Sequence, residues 1–289
     1  MASVRLRGGQ RLLLALLRLA GGEASRTRLM KWLFLLSRET DWGQRNCPYE
    51  FVPYRYGPFS FVAYHDLRKL TDLGLVEQGD ESVRATSDRL PDLGDIPAAV
   101  GDIQGRYGAW STTRLMAHVY RLYPWYALLS ERPDLAPETP TRALAAPRAY
   151  TVGYGGRDLD QFLSLLLKGG LAGVVDVRHT PASRVYGYAG STLARHLERL
   201  GLEYLAFPAL GIAKAQRVGT DSPSARRALL EAYATRVRRG QDGLVDAVSS
   251  QMAERPLALM CMESDPRTCH RSTLAAIVAE RAGLLVEHM

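Results

Sequence analysis

The sequence PLALMCMESDPRTCHRSTLAAIVAERAG, residues 256–283, holds the pattern that decides the fold of the C-terminal half of the chain. Residues 256–262 are an apolar run that begins at a proline, which is typical of a buried strand. Residues 271–283 place apolar side chains at helical spacing and end in glycine, which predicts an amphipathic helix. The polar segment CMESDPRTCHR, residues 261–271, joins the two. Because open α/β sheets hold ligands where a strand leads into a helix, we expect a site in this segment.

The same alternation of strands and helices extends over residues 149–289. Apolar runs at residues 149–154 and 171–178 predict the first two strands, and residues 158–170 predict a helix with Asp158 as its N-cap. Strands that alternate with helices are typical of parallel sheets. We therefore predict an α/β domain with a mostly parallel sheet and helices on both faces.

Residues 1–130 are predicted to form a mainly helical domain. Three amphipathic helices precede residues 75–87, which read as strand, turn and strand, and this order is typical of a winged helix. Winged-helix modules bind duplex DNA or serve as protein-contact and dimerisation platforms, and the sequence leaves both open. For DNA binding, the predicted phosphate contacts are the basic residues Arg26, Arg28, Arg68, Lys69 and Arg84.

The segment YRYGPFS, residues 54–60, lies between the second and third of these helices. It resembles part of the antitoxin-like domain called Panacea, in which helices surround a Tyr-Gly-Pro turn. The resemblance covers this segment alone.

The chain of 289 residues is long enough for two domains. Residues 131–148 contain four prolines and no periodic apolar pattern, which predicts a linker. We therefore predict a domain at residues 1–130 that binds nucleic acid or protein, followed by this linker. The domain at residues 149–289 then carries the site.

The composition favours a cytoplasmic protein with a basic surface. Residues 1–147 hold 19 Lys and Arg against 16 Asp and Glu, and residues 148–289 hold 18 against 14, so both parts are basic. This charge is compatible with DNA as a partner and equally with a solvated basic surface. No apolar run approaches the roughly 18 residues that a membrane helix needs, so we expect no membrane partner. Three cysteines cannot form a disulfide framework.

Polar side chains follow three of the predicted parallel strands. Gly153 to Gly156 follow the first strand, Asp176 and Arg178 end the second, and residues 263–271 follow the fourth. We expect them to meet at the carboxyl edge of the sheet, around one hollow that accepts an anion. A carboxylate held near guanidinium groups stays ionised and suits acid and base chemistry, while the arginines bind phosphate.

Plainer roles stay open for several of these residues. Asp176 and Arg178 also suit a structural ion pair, and His270 also suits a helix cap or a core position. Cys269 next to His270 is a possible nucleophile. The spacing of Cys261, Cys269 and His270 is not that of a standard zinc finger and Cys47 lies in the other domain, so we predict no metal and no cofactor.

Four segments of the C-terminal domain resemble the family catalogued as domain of unknown function 488. They are TVGYGGRDLDQF (residues 151–162), VVDVRHTPASR (174–184), LGLEYLAFPALG (200–211) and ALMCMESDPRTCHRSTLA (258–275). The family pattern has a Gly-Tyr-x-Gly turn, a DVR-x-x-P-x-S-R loop, a Leu-Gly-Gly loop and a C-x-E-x5-C-H-R core. Ile212 stands where the family usually has a second glycine.

The resemblance implies a Rossmann-like fold and a polar site. The implied site residues are Asp176, Arg178, Ser183, Arg184, Glu263, Cys269, His270 and Arg271. Proteins similar to this family are found in DNA repair and phage defence contexts, and the resemblance implies no particular reaction.

The preferred hypothesis is a DNA-processing enzyme that hydrolyses a base or its sugar link, as a DNA glycosylase does. The predicted catalytic residues are Asp176, Glu263, Cys269 and His270, with one carboxylate activating water. Tyr188 and two other tyrosines are expected to stack a flipped base. The predicted substrate-binding residues are Tyr154, Gly155, Arg178, Ser183, Arg184, Tyr186 and Arg271. Two alternatives are a DNA-binding or antitoxin-like regulator that senses a nucleotide or small anion, and a nuclease or phosphodiesterase.

Overall fold

A computed structural model describes residues 6–19, 21–86, 96–219 and 222–289. The chain divides into two compact units, Met1–Thr141 and Arg142–Met289. The division lies inside the stretch predicted to be a linker, residues 131–148. Buried apolar side chains form separate clusters within the two units. None of the helices in the described ranges has the length and apolar character needed to cross a membrane.

The N-terminal unit is mainly helical. Its helices are α1 (Gly8–Leu19), α2 (Arg26–Glu39), α3 (Asp41–Asn46), α4 (Phe61–Asp72), α5 (Ile96–Tyr107) and α6 (Thr112–Leu122). Its strands are β1 (Glu23–Ser25), β2 (Val52–Tyr54), β3 (Gly57–Phe59), β4 (Val76–Gln78) and β5 (Ser82–Ala85). Strands β2 and β3 pair around the predicted Tyr-Gly-Pro turn, where Gly57 has a φ of 97° that favours glycine.

Strands β4 and β5 are the predicted ribbon, and β1 joins them. The three strands form an antiparallel sheet in the order β1-β5-β4, directly after α4 in the chain. Strand β1 was not predicted, because three residues between a glycine pair and a helix carry no alternating pattern. The interpretation of this arrangement as a winged helix stays a prediction.

The C-terminal unit is a mixed α/β structure. Its strands are β6 (Ala149–Gly153), β7 (Gly173–Asp176), β8 (Glu203–Ala206), β9 (Leu257–Cys261) and β10 (Val286–His288). Its helices are α7 (Leu159–Lys168), α8 (Gly190–Glu198), α9 (Pro223–Gly240), α10 (Asp242–Glu254) and α11 (His270–Ala282). The predicted fold class, with strands alternating with helices, is confirmed.

The five strands form one parallel sheet in the order β10-β6-β9-β7-β8, flanked by helices. Strand β9 therefore lies between β6 and β7. In the register, Gly153 of β6 pairs with Cys261 of β9, and Asp176 of β7 pairs with Met260. The carboxyl ends of these three neighbouring strands lie side by side, and each leads into a segment predicted to carry site residues.

Local sequence explains where the helices next to this edge begin. Asp158 Oδ1 accepts a hydrogen bond from the Gln161 backbone N–H at 2.8 Å, and Gln161 Oε1 accepts one from the Asp158 backbone N–H at 3.0 Å, so α7 starts at a capping box. Helix α11 begins at His270, one residue before the predicted start, and ends at Gly283, which adopts the left-handed conformation with φ 67°.

Candidate active site

Asp176 and Arg178, at the end of β7, form a buried ion pair. The Arg178 Nη2 donates to Asp176 Oδ2 at 2.6 Å, and Nε donates to Oδ1 at 2.9 Å. The side chains are 1% and 6% exposed. Burial lowers the pKa of Arg178, but the hydrogen bond and the charge of Asp176 outweigh it, so the pKa is raised. Arg178 therefore stays positively charged beside the Asp176 carboxylate.

Three tyrosines complete the surroundings of this ion pair. Tyr204 donates its hydroxyl hydrogen to Asp176 Oδ2 at 2.7 Å. Arg178 Nη1 donates to the Tyr154 hydroxyl at 3.2 Å and to the Tyr188 carbonyl at 2.9 Å. The rings of Tyr154 and Tyr188 stack on each other, with centroids 4.1 Å apart and planes 17° apart. This group is a closed polar network inside the unit.

The closed network corrects the roles expected for three residues. The oxygens of Asp176 are taken up by Arg178 and Tyr204, so this carboxylate does not face a space in which water could be activated. The guanidinium of Arg178 is likewise turned to protein atoms, and the buried Tyr154 ring faces Tyr188 in place of a substrate base. The geometry gives all three a structural role.

Arg271 also has a different role from the one expected. Its side chain is fully buried, at 0% exposure. Nη1 donates to the backbone oxygen of Glu263 at 2.5 Å, and Nη2 donates to that of Ser264 at 3.1 Å. Arg271 thus holds the loop after β9 by its carbonyls and is not presented to a phosphate. The four residues expected around one hollow, Asp176, Arg178, Glu263 and Arg271, are not arranged in that way.

A second cluster lies at the end of β9 and the start of α11. Cys261 Sγ is 2.9 Å and Cys269 Sγ 3.3 Å from Glu263 Oε2, so either thiol, when protonated, can donate to this carboxylate oxygen. The Nδ1 atom of His270 lies 3.8 Å from the sulfur of Cys261 and 3.9 Å from that of Cys269. The short helix Pro266–Thr268 returns the chain to the strand end and so brings these four residues together.

A backbone hydrogen bond fixes the orientation of the His270 imidazole. Nε2 lies 2.9 Å from the carbonyl oxygen of Val177 and must donate to it, since a carbonyl cannot donate. In the neutral ring Nδ1 is then unprotonated, and its lone pair points to the two sulfurs. Because Val177 stands between Asp176 and Arg178, this bond joins the second cluster to the buried ion pair.

The ionisable groups of this second cluster influence one another. The hydrogen bond from Cys261 stabilises the Cys269 thiolate and lowers the pKa of Cys269 to about 6, against the opposing effect of burial. The same contact and burial raise the pKa of Cys261. Burial raises the pKa of Glu263, but the thiol hydrogen bonds outweigh it and the pKa is lowered. Cys269 is therefore the more acidic of the two thiols.

Three members of the cluster face a cleft with about 150 Å³ of space for solvent. Glu263, Cys269 and His270 line it. The other lining residues are three apolar ones, two basic ones and a threonine: Ile212, Leu229, Leu230, Arg217, Arg226 and Thr268. Arg226 Nη1 contacts the carbonyl of Thr268 at 3.5 Å. The cleft therefore combines reactive groups, an apolar wall and two cations.

Two glycines of the first turn are explained by close packing against the β9 loop. A Cβ on Gly153 would lie 2.0 Å from the Glu263 carbonyl oxygen, and one on Gly155 would lie 2.8 Å from that of Met262. The Gly155 N–H donates to the same Met262 oxygen at 2.7 Å. Gly155, expected to bind substrate, thus allows two backbone segments to approach each other. Gly211 has the same role against the His179 backbone, while Ile212 lines the cleft.

The remaining predicted substrate-binding residues lie on the loop after β7. Ser183 Oγ accepts a hydrogen bond from the Val185 N–H at 3.1 Å, and Arg184 is exposed. The Tyr186 ring contacts His196 edge to face, with centroids 6.0 Å apart. These three residues are not among those that line the cleft described above.

Most of the predicted nucleic-acid-binding cations contact their own unit. Arg26 donates to the carbonyls of Asp80 and Gly79 in the turn between β4 and β5. Arg28 donates to the Gly108 carbonyl and lies over the Trp32 ring, and Arg84 pairs with Glu77. Arg68 is exposed and Lys69 is half-buried on α4, so these two are the predicted cations that α4 presents together.

Sequence reasoning missed the two arginines of the cleft and two tyrosines, Tyr204 and Tyr233. Arg217 and Arg226 are distant in sequence from Cys269 and carry no local motif. Tyr233 contacts the His270 ring edge to face at 5.3 Å, and it too has no signal beyond a helical apolar position. Cys261 was considered only as a zinc-finger residue.

The fold and this cluster define a parallel α/β domain with a thiol, imidazole and carboxylate site. Residues 158–278 match the family model described as Domain of unknown function DUF488, so this part of the C-terminal unit is similar to that family. A search of curated proteins finds no match. The matched range includes all four residues of the second cluster, and strand β6 precedes it.

Proposed function

We propose that the C-terminal unit is a hydrolytic enzyme that acts on the bases of DNA, as a DNA glycosylase does, with its chemistry at Glu263, Cys269 and His270. The observation that carries the proposal is that these three side chains face one cleft that also contains Arg217 and Arg226. A carboxylate, a thiol and an imidazole supply proton transfer and nucleophilic chemistry, and guanidinium groups bind phosphate.

The size and lining of the cleft support a single ring as the reacting group. A cavity of about 150 Å³ lined by apolar side chains is known to admit a benzene ring. Here Ile212, Leu229 and Leu230 provide apolar lining, and Glu263, Cys269 and His270 provide polar groups. A nucleobase extruded from the duplex presents a flat apolar face and a polar edge, which is the shape that enzymes of this kind bind.

The two carboxylates predicted for catalysis, Asp176 and Glu263, lie in different surroundings, and this decides which of them we assign a catalytic role. Asp176 is tied to Arg178 and Tyr204. Glu263 lines the cleft and is the carboxylate that we assign to the activation of water or the stabilisation of a cationic sugar. Arg217 and Arg226 are assigned to the flanking phosphates.

The N-terminal unit is proposed to bind the duplex. The support is the helical unit with its three-stranded antiparallel sheet and the neighbouring cations Arg68 and Lys69 on α4. Because Arg26, Arg28 and Arg84 contact protein atoms, the predicted interface is smaller than the sequence suggested.

The test is incubation of the purified chain with duplex and single-stranded oligonucleotides that carry a panel of modified bases. Mass spectrometry of released bases and alkaline treatment of the strands then reveal abasic sites. We expect release by the wild type, loss of release in Glu263→Gln, and retention in the control Glu254→Gln, an exposed residue at the end of α10.

Other outcomes replace the proposal. If no base is released from any substrate of the panel, and DNA binding persists in Glu263→Gln, the alternative of a non-catalytic DNA-binding regulator would be favoured. Direct strand scission that EDTA abolishes, without alkaline treatment, would favour a nuclease or phosphodiesterase.

A further inference from the structure

We propose that Cys261, Cys269 and His270 bind a zinc ion, with a fourth coordination position that faces the cleft beside Glu263. With the ion bound, Cys269 and His270 act as ligands, and Glu263 is the group left to transfer protons. The proposal thus revises two of the roles proposed above, and it departs from the expectation of no metal that the ligand spacing suggested. The binding itself is independent of the reaction, while the role of the metal in activating water rests on the proposed function.

The distances between the ligand atoms fit a tetrahedral ion. The Sγ atoms of Cys261 and Cys269 and Nδ1 of His270 all lie within 4.8 Å of one another. The two sulfur to nitrogen distances are 3.8 and 3.9 Å. A tetrahedral zinc with bonds of about 2.3 Å to sulfur and about 2.0 Å to nitrogen separates those atoms by roughly 3.6 Å. Only small side-chain shifts are needed to close the site.

The imidazole is already held as a zinc ligand would be. Metal-binding histidines almost always donate the second ring N–H to a carboxylate, a carbonyl or water, which fixes the ring and its tautomer. His270 donates Nε2–H to the Val177 carbonyl at 2.9 Å, and its Nδ1 lone pair points to the sulfurs. A histidine that only filled the core would not need a lone pair aimed at two thiols.

The burial and chemistry of the cysteines favour a soft divalent ion. Both are buried and neither is in a disulfide. Two thiolates neutralise the charge of a divalent ion, and thiolate and imidazole ligands together select zinc over magnesium or calcium. The chain's third cysteine, Cys47, lies in the other unit and offers a matched control.

The fold explains how such a short ligand spacing closes. Cys261 ends β9, the loop turns through the short helix Pro266–Thr268, and His270 begins α11. Strand β9 therefore positions Cys261, and the start of α11 positions Cys269 and His270. Arg271 donates to two carbonyls of the loop between them and holds that loop in place.

The fourth position gives the site a catalytic character. Structural zinc sites have four protein ligands, whereas catalytic ones have three and keep an open position for water. Cys269, His270 and Glu263 all line the cleft, and Glu263 Oε2 lies 3.3 Å from the Cys269 sulfur. A His, Cys, Cys zinc with a nearby glutamate that is not a ligand is also the centre that activates water in zinc nucleobase deaminases.

The step at this site balances in atoms and charge. A metal-bound water would give its proton to Glu263, and the remaining hydroxide would form the new bond to the sugar carbon. The bond between sugar and base breaks, and the base leaves with its electron pair and takes the proton from Glu263. The sum is the addition of one water molecule across that bond.

The test is the metal content of the full-length chain without an affinity tag, prepared under reducing conditions and measured by plasma mass spectrometry. We expect close to one zinc per chain, removal by a strong chelator and replacement by Co²⁺. Cobalt bound by two thiolates gives a charge-transfer band and the d–d bands of a tetrahedral ion. We expect this spectrum from the cobalt-loaded wild-type chain, so this part of the test needs no amino-acid substitution.

Variants assign the ligands. Cys261→Ser, Cys269→Ser and His270→Gln are expected to lose the metal and the cobalt spectrum, with circular dichroism checking the fold, while Cys47→Ser keeps both. A wild-type chain with reduced thiols that takes up neither zinc nor cobalt would overturn the site, as would metal retained by the Cys261→Ser, Cys269→Ser double variant. Metal binding without base release would instead count against the proposed function alone.

Discussion

The Asp176 carboxylate and the Arg178 guanidinium are joined by two parallel contacts, Nη2 to Oδ2 at 2.6 Å and Nε to Oδ1 at 2.9 Å, in the interior of the C-terminal unit. Parallel contacts of this kind give the strongest arginine to carboxylate geometry. Val177, between the two, accepts a hydrogen bond from His270 of the cleft, but neither Asp176 nor Arg178 lines the cleft. The contribution of the ion pair to the free energy of unfolding can therefore be measured independently of catalytic activity.

Breaking this pair from one side should destabilise the protein strongly. Asp176→Asn leaves the charge of Arg178 buried without a counterion, and the expected loss is about 3–5 kcal/mol in the free energy of unfolding. Asp265→Asn is a matched control, because Asp265 pairs with Arg267 at the same spacing but with 38% and 88% exposure. Its loss should be much smaller, because solvent screens an exposed pair. Urea denaturation measures both, and equal losses would contradict the structural role.

Gly153→Ala should destabilise the C-terminal unit and disturb the β9 loop. The added Cβ would lie 2.0 Å from the Glu263 carbonyl oxygen, which is backbone and cannot swing away. Overpacking of this kind costs about 1–3 kcal/mol. Gly243→Ala, in α10 with open space around it, should change stability by no more than about 0.5 kcal/mol. Thermal unfolding of the two variants compares them directly, and a tolerated Gly153→Ala would refute the close packing.

Lys31 should make stability depend on pH. Burial lowers its pKa from 10.5 to about 7, and its Nζ donates to the Pro58 carbonyl at 3.1 Å. Between these two pH values the unfolded chain binds the proton and the folded one does not, so stability rises with pH by up to about 1.4 kcal/mol per unit. Below about pH 7 both forms are protonated and the full penalty remains.

The measurement is urea denaturation of the wild type and Lys31→Met between pH 6 and pH 10. The substitution should flatten the rise of stability with pH relative to the wild type. Lys69→Met, at a half-buried position on α4, should leave the slope as it is. An identical slope in all three chains would show that Lys31 does not titrate in this window.

Arg226 should contribute to substrate binding more than to the chemical step. Arg226→Ala removes a cation from the cleft, so KM for DNA should rise several-fold with little change in kcat, and the dependence of KM on salt should weaken. The control is Arg227→Ala, since Arg227 is exposed on the same helix and is not among the cleft residues. A fall in kcat alone would contradict this assignment.

The cations on α4 should govern the affinity for the duplex. Arg68→Ala with Lys69→Ala is expected to weaken binding equally for all sequences and to lower the slope of log affinity against log salt by about 2. Arg84→Ala, which removes a residue paired with Glu77, should have a smaller effect. Fluorescence anisotropy at several salt concentrations measures this, and an unchanged slope would remove α4 from the interface.

The sequence predicted the local parts of the site better than the distant ones. Glu263, Cys269 and His270 belong to one strand, loop and helix segment, so finding that segment was enough to bring them together. The ion pair was also within reach, because residues two apart in an extended segment point to the same face. Asp176 and Arg178 have that spacing, and weighing it more heavily would have removed both from the catalytic set.

The residues from other elements could not be predicted in this way. Arg217 and Arg226 reach the cleft through the packing of a loop and of α9, and no pattern in either segment encodes that position. The burial of Arg271 depends on Gly153 having no side chain, a contact between positions more than a hundred residues apart. Such contacts follow from strand order, which the sequence left undetermined.

The hydrogen bond from His270 to the Val177 carbonyl means that the ring is anchored to a peptide whose two neighbours are locked together. A change at position 176 would then reach the cleft as a tilt of the imidazole, although the altered side chain never meets a substrate. Loss of turnover in such a variant would then result from a displaced His270 ring and not from the loss of a catalytic carboxylate at position 176. The direction of Nδ1 in the variant distinguishes these two explanations.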